Sequence, residues 1–139
     1  MKVKYKVFRR SGGRSDYAEM PLLDIRLKHR KVTIQMQCLV DSGAGDCVFN
    51  AEIADVLGID LTKAETKIYE AVGGHQLNAR VHPLKLQVAG FEDEWITIKA
   101  GFIDHDDQPL LGHNGFFENF EVTFRTYRNQ FEIKRRKRP

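Results

Sequence analysis

Cysteine is scarce in this chain, whose 139 residues include only Cys38 and Cys47. Their spacing is not that of a CxxC site, and two cysteines are too few for the disulfide scaffold of a small secreted protein. Cys38 lies in an alternating apolar segment, where we expect it to pack as a small hydrophobic residue. Residues 1–6 lack the apolar core of a signal peptide, and no apolar stretch reaches membrane-spanning length. We therefore expect a soluble, cytoplasmic protein without membrane contact.

Excess basic charge is lacking outside the C-terminus. The formal net charge is +3, but five of the 22 Lys and Arg residues lie in residues 134–138. The rest of the chain contains the other 17 basic residues and 19 acidic residues, so its formal net charge is −2. This balance is not typical of a nucleic-acid-binding surface. We expect a solvated basic tail over residues 134–139, and contact of this tail with nucleic acid is the less favoured interpretation.

A metal-ligand pattern is also lacking. The segment Asp104-His105-Asp106-Asp107 contains side chains that can bind metals. Consecutive residues in a strand or loop point in different directions, however, and this spacing matches no known ligand set. We expect a solvated loop here and no metal site.

The length suits one domain that can bury a hydrophobic core. No internal repeat is present. We predict an N-terminal extended piece and linker over residues 1–20, a folded domain over residues 21–133 and the basic tail over residues 134–139.

The apolar pattern predicts mainly β-structure with one or two short helices. One helix is predicted over residues 51–57, with Asn50 as its N-cap and Gly58 as its end. A second short helical segment would place Phe116, Phe117 and Phe120 against the core. The predicted hairpins comprise residues 22–40, 67–81, 84–98 and 122–133.

Asp41 is the most informative residue, because it follows the apolar residues 38–40 and begins the sequence Asp41-Ser42-Gly43-Ala44. Gly43 permits a tight turn that directs the Asp41 carboxylate from a strand end toward a cleft. The Ser42 hydroxyl can bond the backbone or an equivalent serine. The tripeptide alone favours a simpler alternative, an Asx-turn in which Asp41 only accepts bonds from neighbouring amides.

Two further motifs follow the Asp41 motif in the chain. The hairpin over residues 67–81 has its tip at Val72-Gly73-Gly74-His75, and the apolar pair Leu110-Leu111 then runs into Gly112. The order of these elements resembles that of the retropepsin-like aspartic proteases. It comprises an apolar strand with Asp-Ser-Gly-Ala, a helix, a glycine-tipped hairpin and a late apolar-apolar-Gly segment. The resemblance covers residues 22–133 and is closest to bacterial single-domain members.

The resemblance implies a closed, mainly β barrel that acts as a homodimer and hydrolyses peptide bonds in peptides or proteins. One motif per chain provides one catalytic aspartate, so Asp41 of two chains would form the dyad, without metal or cofactor. Terminal strands of the two chains could complete the dimer. The implied supporting residues are Ser42, Gly43 and Ala44 in the active-site loop, Val72, Gly73, Gly74 and His75 in a flap, and Leu110, Leu111 and Gly112 beneath the loop.

Two positions depart from the retroviral pattern. Retroviral members carry an Asp after the Ala, which pairs with an Arg after the late glycine; here these positions are Gly45 and His113. Loss of both partners avoids a lone buried charge. Asp46, the next residue, could then supply the missing contact to substrate backbone. Ala44 offers no hydroxyl to an ionised dyad, so we expect activity to peak at about pH 5 to 6.5.

Two alternatives remain open. The same barrel could be an inactive dimerisation or peptide-binding module in which Asp41 is only a structural cap. It could also be a small β-barrel that binds single-stranded nucleic acid through the tail, although the charge of −2 elsewhere gives little support to this.

Overall fold

A computed structural model describes residues 1–9, 17–105 and 108–137, which form a mainly β fold. The helices are α1 (Ala51–Leu57) and a 3-10 turn at Thr126–Arg128. The strands are, in chain order, β1 (Lys2–Lys4), β2 (Lys6–Arg9), β3 (Tyr17–Met20), β4 (Leu22–His29), β5 (Val32–Val40), β6 (Cys47–Asn50), β7 (Glu65–Glu70), β8 (Gln76–Val88), β9 (Ile96–Ile103), β10 (Leu110–Leu111), β11 (Phe120–Arg125) and β12 (Gln130–Arg135).

The largest sheet closes on itself. Its strand order is β4-β5-β10-β6-β9-β8-β7, and β4 also pairs with β8. Six strands thereby form a ring, and β7 is attached outside it through β8. Alternate side chains of the ring strands point inward, as the period of two in their sequences predicts. The inward residues form a continuous buried core that includes Leu23, Ile25, Leu27, Phe49, Leu86, Ile98 and Phe102.

Helix α1 begins and ends where its sequence predicts. The Asn50 side chain accepts a hydrogen bond from the Glu52 amide at 2.9 Å, and Gly58 adopts a left-handed φ of 73° at the C-terminus. A residue with a Cβ is disfavoured at that angle. Ala54 and Leu57 are buried against the barrel.

The predicted second helix is wrong. Residues 115–119 form consecutive turns, beginning at Gly115 with φ of 100°. The Glu118 carboxylate accepts from the Gly115 amide at 2.8 Å, and the Asn119 side chain donates to the Gly115 carbonyl at 2.7 Å. In an α-helix the Gly115 carbonyl would accept from the Asn119 amide, but that amide donates to the Phe116 carbonyl at 3.0 Å instead. Phe116 and Phe120 are nonetheless buried, as expected.

Both ends of the chain are more ordered than the sequence suggested. Strand β1 pairs with β12, and β2 forms a hairpin with β3, while the predicted linker at residues 10–16 lies outside the described residues. The expectation that the solvated tail begins at residue 134 is wrong for its first two residues, because β12 continues to Arg135. The Arg135 guanidinium bonds Glu94 and lies over the Phe120 ring, which holds this strand end on the barrel.

Candidate active site

Asp41 lies directly after β5, in a turn fixed by its backbone. Its amide donates to the Leu111 carbonyl at 3.0 Å, and its carbonyl accepts from the Ala44 amide at 3.1 Å. Carboxylate oxygen Oδ1 accepts from the Gly43 amide at 2.8 Å. Within the described part of the chain no group donates to Oδ2. The half-buried carboxylate therefore has one anchored oxygen and one oxygen available for chemistry.

Strand β10 supports this turn from below. It lies between β5 and β6, parallel to β5, with Leu110 opposite Leu39 and Leu111 opposite Val40. Leu111 has no exposed surface. Strand β10 therefore lies beside the end of β5 that leads into the Asp41 loop.

Position 112 requires glycine because two backbone oxygens lie close to its Cα. A Cβ built on it would lie 2.2 Å from the Asp46 carbonyl oxygen and 2.6 Å from that of Ala44. Side-chain carbons do not approach backbone oxygens so closely. Only glycine lets the two loops touch here.

His113 and Asn114 replace the charged pair of the retroviral pattern with neutral hydrogen bonds. Their amides donate to the carbonyls of Ala44 at 2.9 Å and Gly45 at 2.8 Å. His113 also donates from Nε2 to the Ser42 carbonyl at 2.5 Å, which requires a hydrogen on that nitrogen. The active-site loop is thus held by backbone and imidazole groups.

Asp46 is a structural anchor, and its expected contact with substrate backbone stays a prediction. Only 7% of its surface is exposed. Oδ2 accepts from Lys67 Nζ at 2.6 Å and from Tyr69 Oη at 2.8 Å, and Oδ1 accepts from Asn114 Nδ2 at 2.7 Å. Two side chains of β7 reach down to this loop and bond Oδ2, whereas Oδ1 is bonded by Asn114, which follows β10. Asp46 therefore ties the active-site loop to the hairpin above it.

Electrostatics favour the ionised form of Asp46. Burial by itself would raise the pKa of Asp46, but hydrogen bonds from Lys67, Asn114 and Tyr69, together with the Lys67 charge, lower that pKa below its usual value. Burial, followed by the hydrogen bond to Asp46, raises the pKa of Tyr69. Tyr69 is therefore a neutral donor to Asp46 at physiological pH. Gly101 leaves room for its hydroxyl, since a Cβ there would lie 2.1 Å from Oη.

Replacing Asp46 with asparagine is expected to destabilise the fold by about 1–2 kcal/mol at pH 7, because the amide group must face one of the donors. A carboxylate with a lowered folded-state pKa stabilises above its unfolded pKa of about 3.9. This contribution is lost as the pH falls through the folded-state value. The stability difference between wild type and the variant should therefore shrink below about pH 4 in chemical denaturation. Asp93→Asn, on an exposed turn, is the control and should change stability by less than about 0.5 kcal/mol at pH 7.

The predicted hairpin over residues 67–81 is confirmed, and it overhangs the Asp41 loop. Strands β7 and β8 pair from Glu65 opposite Val81 to Glu70 opposite Gln76. The tip, residues 71–75, is closed by a bond from the Ala71 amide to the His75 carbonyl at 2.7 Å. Gly73 and Gly74 both have positive φ, 89° and 79°, which L-residues rarely adopt. Val72 at the tip is 99% exposed, so an apolar side chain stands in solvent above the cleft.

A cavity of about 500 Å³ lies between the Asp41 loop and this hairpin. Asp41 and Ala44 form part of its floor, and Val72 and Leu77 belong to the overhanging hairpin. Apolar side chains from β6, β9 and β10 complete the lining and include Val48, Phe49, Ile103 and Leu110. A partly apolar cleft that contains Asp41 beside other charged side chains, among them Asp46, Lys67 and Glu70, is suited to an extended peptide.

Sequence reasoning missed the roles of Lys67, Tyr69 and Asn114. One signal was available for the first two, because residues 67 and 69 are two apart on a strand and so point to the same face. No sequence period indicates which loop that face meets. Asn114 follows the late glycine by two residues, at a position that no recognised motif singled out.

The described residues were predicted to lack a metal site and a membrane-spanning segment. Across residues 1–9, 17–105 and 108–137, no three His, Cys, Asp or Glu side chains converge on a possible metal position. Asp104 and His105 are exposed, whereas Asp106 and Asp107 lie outside those ranges. None of the helices described is long and apolar enough to span a bilayer.

Similarity to known proteins is found in three-dimensional structure, and it supports the fold described above. No protein-family model matches the sequence, and no curated protein matches it. A retropepsin-like aspartic protease from Rickettsia conorii matches with a TM-score of 0.60 and 24% identity, over 96% of this chain and 98% of that one. The EIAV protease, in complex with the inhibitor HBY-793, matches with a TM-score of 0.55 and 18% identity, over 68% of this chain and 83% of that one. The chain has the retropepsin-like fold, as its motifs predicted.

Proposed function

We propose that this chain is an aspartic endopeptidase whose catalytic dyad consists of Asp41 from each of two copies. The observation that carries the proposal is the position of Asp41, on a fixed turn with one carboxylate oxygen unoccupied at the floor of a cleft. Its place in a retropepsin-like fold agrees with this role, and the two structures compared above are those of proteases.

The chemistry needs two carboxylates and one water. Two carboxylates about 3 Å apart cannot both ionise, so the pair shares one proton. The ionised member takes a proton from water as the water oxygen attacks the peptide carbonyl carbon. The protonated member donates its proton to the carbonyl oxygen, which gives a tetrahedral intermediate. Proton transfer to the leaving amine then allows the C–N bond to break.

The remaining residues would position these groups. Ser42 and Gly43 are exposed, so a second copy could meet them. Ala44 lines the cleft beside Asp41. We assign residues 72–75 the role of a flap that closes over the peptide, excludes water and offers backbone hydrogen bonds.

A second candidate function is a non-enzymatic dimerisation or peptide-binding module. The bond from the Gly43 amide to Asp41 Oδ1 favours it, because this is the geometry of an Asx-turn and would persist without catalysis. Incubation with an unfolded protein or a peptide library separates the two, since only the enzyme produces cleaved fragments. Absence of cleavage by wild-type dimers would favour the module.

Partner and location follow from the same proposal. We assign the chain an unfolded protein or peptide substrate and a second copy of itself, without a cofactor. A cytoplasmic location is consistent with Cys38 and Cys47, both of which are free thiols. Nucleic-acid contact by the basic tail remains the less favoured partner.

A further inference from the structure

A second cavity, of about 430 Å³, lies at the end of the barrel where β4 turns into β5. Five cationic or imidazole side chains contribute to its lining, namely Lys28, His29, Arg30, His82 and Lys85. Asp41 follows the opposite end of the nine-residue strand β5, which places the cavity roughly 30 Å from the Asp41 turn along that strand. The two cavities share no lining residue. This cavity is therefore separate from the candidate active site.

The strand register places like charges side by side at this cavity. Lys28 of β4 is directly opposite Lys85 of β8, and Lys85 is in turn opposite Thr97 of β9. The preceding pair, Leu27 and Leu86, is fully buried in the core, so the two lysines project from the outer face of the barrel. Like charges directly opposite each other destabilise a sheet. A negative group bound between them would remove that cost.

No acidic side chain of the described residues offsets this charge. Neither Lys28, Arg30 nor Lys85 forms an ion pair with a described carboxylate. Strands β5, β8 and β9 contain no Asp or Glu, and the one acidic residue of β4, Asp24, pairs with Lys6 at 3.2 Å. Acidic residues outnumber basic ones in the chain outside its basic tail. The cavity is therefore a local concentration of positive charge.

Two imidazoles add to the positive surroundings. The rings of His29 and His82 meet edge to face, with 5.4 Å between their centroids. His82 Nδ1 lies 2.7 Å from the Pro83 carbonyl, which can only accept, so Nδ1 donates and Nε2 is left to bind a proton and donate to an anion. Burial, followed by the neighbouring His82 and Arg30, lowers the pKa of His29 below its usual value. A bound anion would counteract this positive field.

The donors at the cavity match the oxygens of a phosphoryl group. The Arg30 guanidinium can offer two parallel N–H groups to phosphate, and the Thr97 hydroxyl can donate to another oxygen. Lys28 Nζ lies 5.4 Å from the centre of the Trp95 ring, a cation–π contact that restrains its position. The volume is that of a small-molecule site and leaves room for the group that carries the phosphate.

Single-stranded nucleic acid fits this cavity less well. Proteins that bind it stack successive bases on aromatic side chains along a basic groove. Among the described residues, no Phe, Tyr or Trp ring belongs to the lining. The charge is also confined to one end of the barrel, because the described strands on either side supply only a few cations. One compact anion is the better match.

We propose that this cavity, between the β4–β5 turn and β8, is a binding site for the phosphoryl group of a phosphorylated small molecule or side chain. Arg30 and Lys85 bind the phosphate oxygens from two sides. Lys28 and Thr97 complete the set of donors, and His82 adds a further one when it is protonated. The site goes beyond the proposed peptidase activity and does not depend on it.

An NMR titration tests binding and its location together. The imidazole signals of His29 and His82 are followed while sodium phosphate, O-phosphoserine or a phosphoserine peptide is added at constant pH and ionic strength. We expect saturable shifts of both rings, with a dissociation constant of about 1 mM or tighter for the best of these probes, and no shift of His75 at the hairpin tip. Tighter binding of the peptide than of O-phosphoserine identifies a phosphorylated protein as the source, and equal binding identifies a small molecule.

Charge-neutral variants separate a built site from diffuse attraction. Arg30→Gln and Lys85→Gln should each raise the dissociation constant at least about 10-fold. The matched control is Lys63→Gln, which removes one positive charge from an exposed turn and should stay within about 2-fold of wild type. Circular dichroism confirms that each variant is folded.

Three results would overturn the site. The first is a wild type whose His29 and His82 signals show no saturable shift up to about 20 mM of each probe. The second is equal weakening by Lys63→Gln and Lys85→Gln, which indicates diffuse attraction. The third is tighter binding of a single-stranded oligonucleotide than of all three phosphate probes. None of these measurements uses peptide cleavage, so failure of this site leaves the proposed function untouched, and the reverse holds as well.

Discussion

Replacing Asp41 with asparagine is expected to lower kcat/KM for peptide hydrolysis by about 10³-fold or more and to leave the fold intact. The change removes the group that takes and donates protons from both halves of the dyad at once. The turn should survive, because an asparagine side-chain oxygen can still accept from the Gly43 amide as Asp41 Oδ1 does at 2.8 Å. The measurements are a continuous assay with a quenched peptide and a thermal melt of the same sample.

Asp55→Asn is the matched control for this variant. Asp55 is exposed on helix α1, where its backbone carbonyl, rather than its side chain, bonds the Gly58 amide. We expect activity and melting temperature close to wild type. Hydrolysis near the wild-type rate in folded Asp41→Asn would contradict a catalytic role for Asp41.

Replacing Gly112 with alanine is expected to destabilise the fold by about 3 kcal/mol and to lower kcat/KM at least about 100-fold. The new Cβ would overlap the carbonyl oxygens of Asp46 and Ala44, which are backbone atoms and cannot rotate away. The loop from Asp41 to Asp46 must then shift, and the Asp41 carboxylate shifts with it. Chemical denaturation gives the stability, and the peptide assay gives the activity.

Gly45→Ala is the stability control for Gly112→Ala, because it lies in the same loop and a Cβ there meets nothing within 4 Å. We expect its stability to lie within about 0.5 kcal/mol of wild type. Equal stability of the two variants would show that the contact between β10 and the Asp41 loop is looser than the structure indicates.

Local patterns in the sequence predicted much of this fold. The capping residues Asn50 and Gly58 defined α1, and alternation of apolar residues defined the hairpins, because these signals arise between near neighbours. The Asp41 turn and the glycine-tipped hairpin were likewise visible in short motifs. The ring order was not visible, since the insertion of β10 between β5 and β6 joins residues that are far apart in the chain.

The candidate site was predictable only in part, because some of its contacts also join residues that are far apart in the chain. Asp41 and Gly112 belong to motifs, whereas Asp46 gained its role from Lys67 and Tyr69, which approach from another strand. A carboxylate near Asp41 suggested substrate contact, and only the tertiary structure showed that both of its oxygens accept hydrogen bonds within the chain. The turn at residues 115–119 failed as a helix because the Asn119 side chain, rather than its amide, bonds the Gly115 carbonyl.

A mixing experiment tests the shared Asp41 dyad most directly. Wild-type chains are allowed to exchange with a nine-fold excess of Asp41→Asn chains, and exchange is verified with a mass-labelled variant. Random pairing leaves about one wild-type chain in ten with a wild-type partner, so activity per wild-type chain should fall about 10-fold. Excess Asp55→Asn chains, which retain Asp41, should cause no such loss. Unchanged activity per wild-type chain after verified exchange with Asp41→Asn would contradict a dyad formed by Asp41 from two copies.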